Sequence, residues 1–162
     1  MSNGPSIVER AEQPYVGIRS TVTMDGISKI ADRLPEIFGW LAARGIAPVD
    51  APFFKYNVID MAGQGEYDLE VGVPVAAATT GEGDIGAGVL PAGRYGSLSH
   101  VGHPDELFDR TTELLEWAKA QGLEWDEHDD HWGCRLEIYK TDPREEPDMS
   151  KWETELAFRL AD

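Results

Sequence analysis

Alternation of apolar and polar positions predicts six β-strands, and two segments with helical spacing lie between them. The predicted strands span residues 15–23, 53–60, 67–76, 94–101, 134–140 and 152–160. Apolar residues recur at helical spacing over 26–44 and again between Pro104 and Gly122. Asp25 is a candidate cap for the first helix, and Pro35 predicts a kink or two shorter helices, because proline lacks a backbone donor. Residues 79–88 are typical of a flexible loop.

The order strand, helix, strand, strand occurs twice, over residues 14–78 and 89–160. The repetition extends to paired residues: Trp40 with Trp117, Tyr15 with Tyr95, Tyr67 with Trp152, and Glu70 with Glu155. One repeat alone would leave an apolar sheet face uncovered, so the two should pack as one domain. A pseudo-twofold axis creates a cleft in which a ligand can bind. The less specific interpretation of this repetition is that any α+β domain shows similar internal matches.

Composition and charge narrow the functional classes. The chain has 162 residues, 41% hydrophobic content and a net charge of −16. This acidity argues against direct nucleic-acid binding, which needs a basic face, and permits a cationic ligand or a basic protein partner. No apolar run is long enough for a membrane span, and the first residues lack the apolar core of a signal peptide. We therefore expect a cytoplasmic protein without membrane contact.

The strand at 134–140 carries the most informative charge. Alternation places three of its polar or aromatic residues on one face: Arg135, Glu137 and Tyr139. Glu137 then lies either on a wetted face, paired with Arg135 or Lys140, or at the bottom of a pocket. In a pocket it could pair with a bound cation, or retain a proton and act as a general acid or base.

Aromatic residues are candidate walls for such a pocket. The candidate ligand-binding set combines Glu137 with seven of them: Phe54, Tyr56, Tyr67, Tyr95, Trp132, Tyr139 and Trp152. The faces of Trp and Tyr rings attract cations, and they stack on planar ligands. For any one of these rings taken singly, core packing is the favoured interpretation.

Two further motifs do not support a cofactor or a metal. Residues 81–86 match GxGxxG, but two acidic residues within them would repel phosphates and no helix follows. His128 and His131 flank Asp129 and Asp130 in an acidic segment that is more typical of a solvated loop than of a metal site. The single cysteine, Cys134, excludes an internal disulfide. We predict no cofactor and no metal.

A family resemblance rests on the two halves and on three short segments. These segments are the turn at 91–95, residues 136–143 and the start of the last strand at 152–156. Over about residues 13–160 the chain resembles GyrI-like effector-binding domains. The resemblance implies the domain that senses drugs in some MerR-type and AraC-type regulators, where a cleft between the repeats binds amphipathic cations. It implies that Glu137 lies in this cleft and that Trp152 lines it. The helix-turn-helix of those regulators has no counterpart here.

The prediction is therefore an α+β fold of two pseudo-twofold β-α-β-β repeats, with antiparallel sheets and a central ligand cleft. Residues 1–12 would form a tail or an added strand. The predicted function is stand-alone binding of hydrophobic, cationic or planar aromatic small molecules, for drug or toxin sensing or sequestration. Some stand-alone relatives resemble hydrolases that open cyclopropane-bearing genotoxins, which makes Glu137 a candidate for activating water. An acidic module that binds a basic protein such as gyrase is the third alternative, and the oligomeric state, monomer or homodimer, stays open.

Overall fold

The computed structural model describes residues 4–23, 26–59, 66–128, 131–142 and 144–161. The first half contains β1 (Ser6–Arg10), β2 (Gln13–Thr23), α1 (Ile27–Ala31), α2 (Leu34–Ala43), β3 (Phe53–Ile59) and β4 (Glu66–Pro74). The second half contains β5 (Gly86–Leu90), β6 (Gly93–Val101), α3 (Leu107–Ala120), β7 (Glu127–His128), β8 (His131–Trp132), β9 (Arg135–Tyr139) and β10 (Glu153–Arg159). Short 3₁₀ turns at Pro104–Glu106 and Met149–Lys151 precede α3 and β10.

One antiparallel sheet runs through both halves in the order β1-β6-β10-β9-β3-β4-β2-β5. The first repeat contributes β3-β4-β2 and the second contributes β9-β10-β6, so equivalent strands follow the same order outward from the centre. The halves meet in the β3–β9 ladder, where Phe54 lies opposite Glu137. β8 pairs with β7 and also with β3, through Val58 and His131. This is the predicted pair of β-α-β-β repeats.

Each repeat is flanked by a strand that precedes the other repeat in sequence. β1 comes directly before the first repeat but pairs with β6, and β5 comes before the second repeat but pairs with β2. β5 corrects the prediction of a flexible loop over 79–88, because residues 86–88 belong to this strand. Glycines conceal it: a side chain at Gly88 would overlap the ring of Tyr15, with a Cβ 2.7 Å from its Cζ.

The helices follow the predicted positions. The division of the first helical segment is confirmed: α1 ends at Ala31, and α2 begins at Leu34 with Pro35 in its first turn, where a missing donor is tolerated. No helix of the described residues is long and apolar enough to cross a membrane. Asp25, the candidate cap, lies outside the described residues, as do Asp129 and Asp130. The loop prediction is corrected for the residues on either side of those two, since β7 pairs with β8.

Apolar side chains form three clusters. On the helix-bearing face, α2 packs Ile37 and Leu41 against β4, and α3 packs Leu114 against β6 and β10. Ile59 contacts both of these clusters. A third cluster, around Phe53 and Leu136, lies on the opposite face. Because neighbouring residues of a strand point to opposite faces, the centre of β9 presents Glu137 between the two helical clusters.

Substituting alanine for either of two glycines, Gly39 or Gly17, tests this packing. Gly39 is exposed in α2, and a Cβ there would meet no atom within 4 Å. Gly39→Ala should raise the free energy of unfolding by about 0.5–1 kcal/mol, because glycine loses more entropy in a helix. In contrast, a Cβ at Gly17 would lie 2.5 Å from the carbonyl oxygen of Val71, so Gly17→Ala should destabilise by roughly 1–3 kcal/mol. Urea unfolding measures both, and a tolerated Gly17→Ala would contradict the β2–β4 register.

Candidate functional site

Glu137 lies at the centre of the helix-bearing face with two tyrosine hydroxyls on one of its oxygens. Tyr139 Oη donates to Glu137 Oε1 at 2.7 Å, and Tyr56 Oη donates to the same oxygen at 3.1 Å. Within the described residues, the second oxygen accepts no hydrogen bond and no basic side chain forms an ion pair with Glu137. Lys140, a candidate partner in the sequence, pairs with Glu155 instead. The carboxylate thus has two neutral donors and one oxygen without a protein donor.

Removal from water dominates the titration of this cluster. Burial raises the pKa of Glu137, and the hydrogen bonds from Tyr139 and Tyr56 and the charge of Arg135 oppose that rise without cancelling it. Burial and the nearby carboxylate raise the pKa of both tyrosines well above the ordinary value of 10.0. The tyrosines therefore remain protonated donors, and Glu137 is a group that a proton or a cation would stabilise.

Four of the predicted aromatic residues form a connected group that includes the two tyrosines bound to Glu137. Phe54 meets the ring of Tyr139 edge to face, with centroids 5.5 Å apart and an interplanar angle of 90°. Tyr56 contacts Phe54 at 6.3 Å and Tyr67 at 6.4 Å, again with steep interplanar angles. Such edge-to-face contacts are favourable arrangements of aromatic rings. The first repeat thus supplies an aromatic wall to a carboxylate that comes from the second.

A second aromatic group lies on the other side of Glu137, towards α3. Trp132 is 8% exposed. Its ring centroid lies 6.0 Å from that of Trp125 and 5.7 Å from that of Phe158. The guanidinium of Arg135 lies over the rings of Trp132 and Phe158, with its Cζ 4.7 and 4.5 Å from their centroids. A cavity of about 660 Å³ opens here, and its lining includes Arg135, Trp132 and Trp125 but not Glu137. Trp132 therefore faces the neighbouring cavity, not the carboxylate.

Two predicted site residues lie apart from this cluster. Tyr95 is fully buried on the opposite face of the sheet, where its hydroxyl donates to the carbonyl oxygen of Pro91 at 2.6 Å. The sheet separates it from Glu137, so we leave it out of the candidate site. Trp152 precedes β10 and is half-buried, and its Nε1 donates to the carbonyl oxygen of Glu146 at 2.7 Å. Thr154 pairs with Tyr139 in the β9–β10 ladder, so Trp152 lies near the Tyr139 end of the site. Its ring contacts none of the aromatic rings among the described residues.

The other strand glutamates show what is unusual about Glu137. Glu155, on the opposite face, accepts hydrogen bonds from Arg10 at 2.7 Å and Ser97 at 2.9 Å, and Lys140 lies 3.2 Å away. Burial alone would raise the pKa of Glu155, but these partners outweigh it and lower the pKa. Its repeat mate Glu70 accepts from tyrosine and asparagine side chains and has a lysine at 3.6 Å. Among the described residues, no basic side chain forms an ion pair with Glu137.

An antiparallel sheet with helices on one face, built from two β-α-β-β repeats, is the fold of the effector-binding domains. The chain belongs to the GyrI-like small molecule binding domain family, which matches residues 4–161. None of the curated proteins matches it. The resemblance inferred from the sequence is confirmed.

Solved structures share this fold at low sequence identity. The C-terminal domain of EcmrR is 21% identical, with a TM-score of 0.82 over 100% of this chain and 99% of that one. In a complex of EcmrR with DNA, the chain is 20% identical with a TM-score of 0.80, and our chain covers 57% of its length. The present sequence thus spans little more than half of that regulator, and the expected lack of nucleic-acid contact stays a prediction.

Two further relatives differ in what they are known to bind or do. SAV2435 bound to tetraphenylphosphonium is 11% identical, with a TM-score of 0.69 over 98% of this chain and 94% of that one. A hydrolase from Listeria innocua is 15% identical, with a TM-score of 0.66 over 98% and 92%. At such identities the likeness shows the fold alone.

The raised pKa of Glu137 predicts a pH-dependent stability difference. The unfolded chain loses this proton near the ordinary value of 4.5, whereas the folded chain holds it to a higher pH. As pH rises from the unfolded pKa to the higher folded pKa of Glu137, wild type therefore loses stability. Glu137→Gln lacks this titrating group and does not lose stability by this route. We expect the melting temperature of Glu137→Gln, relative to wild type, to rise between pH 4 and pH 8.

Glu155→Gln is the matched control with the opposite sign. Its partners lower the pKa of Glu155, so this carboxylate stabilises the fold above pH 4.5, and the contribution disappears as pH falls through the lowered pKa. The Glu155 variant should be destabilised at neutral pH and approach wild type in acid. Parallel pH profiles for the two variants would contradict the assignment of Glu137 as the uncompensated carboxylate.

Proposed function

We propose that this chain is a cytoplasmic binding protein for hydrophobic, cationic or planar aromatic small molecules, acting in drug or toxin sensing or sequestration. Glu137 is its charge centre, and Phe54, Tyr56, Tyr67 and Tyr139 form the aromatic wall. The observation that carries the proposal is the uncompensated carboxylate: two tyrosine hydroxyls hold one oxygen, and no cation of the described residues pairs with it. A ligand cation would take that place.

The partly dehydrated surroundings of Glu137 favour its interaction with a ligand cation. Two unit charges 4 Å apart gain about 4 kcal/mol at an effective dielectric of 20, before desolvation. Folding has already removed part of the water around Glu137, which is half-buried and whose pKa is raised by that burial. Binding therefore requires desolvation mainly of the ligand, and hydrophobic cations with delocalised charge lose the least hydration.

The aromatic residues favour the same ligands. A cation near the face of a Tyr or Trp ring gains roughly 0.5–2 kcal/mol, and planar rings offer apolar area to stack against it. Family membership supports binding of a small molecule. Tetraphenylphosphonium, held by the similarly folded SAV2435, is a hydrophobic aryl cation of the kind that this site would accept.

Catalysis is the second candidate function, favoured by the titration of Glu137. A carboxylate whose pKa is raised by burial is a stronger base than an exposed one and is suited to remove a proton from water, and two tyrosine hydroxyls donate to it. Glu137 would then activate water against a strained electrophilic ring. A similarly folded protein from Listeria innocua is a hydrolase. Turnover distinguishes the two functions, because sequestration protects only stoichiometrically.

Titration of a cationic rhodamine, followed by tryptophan quenching, tests the binding proposal. We expect saturable binding to wild type and a roughly tenfold or greater loss in Glu137→Gln, the size typical of removing a charged partner. Tyr139→Phe should give a smaller loss, because it removes one donor and leaves the charge. Glu153→Gln, an exposed residue with the same change in charge, should bind like wild type.

Three outcomes would contradict the proposal. Absence of quenching would exclude a hydrophobic cation as ligand. Equal binding by wild type and Glu137→Gln would remove the glutamate from the site. Equal losses in the Glu137 and Glu153 variants, together with strong salt dependence, would attribute binding to the acidic surface as a whole and favour the protein-interaction alternative.

A further inference from the structure

The candidate site contains a cation of its own. Arg135 shares the helix-bearing face of β9 with Glu137, and one intervening residue, Leu136, leaves their Cα atoms about 7 Å apart. Its guanidinium lies over Trp132 and Phe158 at 4.7 and 4.5 Å. Among the described residues it forms no hydrogen bond or ion pair. Burial lowers the pKa of Arg135, and the nearby charge of Glu137 only partly offsets that effect.

This geometry leaves one part of the guanidinium available. Both aromatic rings lie on the same side of Arg135, since their centroids are 5.7 Å apart and lie 4.7 and 4.5 Å from its Cζ. The N–H donors along the uncovered edge of the guanidinium are therefore available. A carboxylate is the acceptor whose geometry matches that edge with two parallel hydrogen bonds. Because Arg135 lines the cavity of about 660 Å³, an acidic group of a bound molecule can reach it.

The remaining charges around the cavity do not supply that acceptor. Lys119, Glu124 and Glu127 also line it, so two basic and two acidic side chains face the space. Glu127 contributes a favourable field at Arg135 but no hydrogen bond to it. The interior is thus locally balanced despite the net charge of −16, and an acidic ligand group is not excluded by the acidity of the whole chain.

We propose that Arg135 determines specificity by binding an acidic group of the ligand. The preferred ligand is then an amphipathic aromatic zwitterion, with its cation at Glu137 and its carboxylate at Arg135. This inference rests on the proposed function and deepens it. A purely cationic ligand meets repulsion from Arg135 when it approaches Glu137, whereas a zwitterion satisfies both charges in the cleft.

Two rhodamines that differ in one group test this assignment: one with a free carboxylate, and its methyl ester. Both carry the same cationic xanthene, and absorbance of the xanthene confirms that the free acid stays in its open form. Titrations followed by fluorescence anisotropy should show that wild type binds the free acid about tenfold more tightly than the ester, as expected for one charge-assisted contact. Arg135→Gln should abolish this preference by weakening the acid and strengthening the ester.

Matched variants separate the local contact from net charge and from folding. Arg94→Gln makes the same change in charge at an exposed strand position and should keep the wild-type preference. Arg135→Lys keeps the charge without the planar fork and should retain part of it. Far-UV circular dichroism checks that each variant is folded.

The outcomes distinguish this inference from the proposed function. If wild type binds the ester as tightly as the acid, or more tightly, the inference is wrong while ligand binding at Glu137 stands. An unchanged preference in Arg135→Gln would also overturn it. If neither dye binds wild type, the proposed function fails and this inference fails with it.

Discussion

The ladder between β3 and β9 is the contact on which the site depends. It joins the two repeats in the register that places Phe54 opposite Glu137, and so brings Tyr56 of one repeat within 3.1 Å of the carboxylate of the other. A slip by one residue would turn Glu137 towards the opposite face, where Phe53 and Leu136 fill the core. The apolar pattern on both faces therefore holds the register, and the register assembles the charge centre.

The two faces of the sheet treat buried carboxylates differently. On the opposite face, Glu70 and Glu155 each have basic or hydrogen-bonding partners that balance them, and their role is structural. On the helix-bearing face Glu137 and Arg135 lie on one strand without pairing with each other or with other charged groups of the described residues. Leaving both charges without an ion-pair partner destabilises the fold locally, because their mutual attraction only partly offsets burial. Such a pair is informative because a bound ligand can recover that free energy.

Sequence patterns predicted single strands better than the contacts between them. Alternation within 134–140 put Arg135, Glu137 and Tyr139 on one face, and the structure agrees. Alternation relates faces only within a strand, however, so it could not reveal that Tyr95 faces away from Glu137. The partnership of Glu137 with Tyr56 depends on β3–β9 pairing, a long-range contact with no local signature. The glycines of β5 likewise hide a strand, because its fit comes from the close approach of Tyr15.

The site is asymmetric although its frame is nearly symmetric. Across the central ladder the first repeat contributes Phe54 and Tyr56, while the second contributes both charges, Arg135 and Glu137. A symmetric version with a glutamate in place of Phe54 would set two carboxylates directly opposite, about 5 Å apart at Cβ. Their repulsion would drive one of them to keep a proton. Divergence of the two repeats at this one pair therefore leaves one carboxylate at the central ladder instead of two.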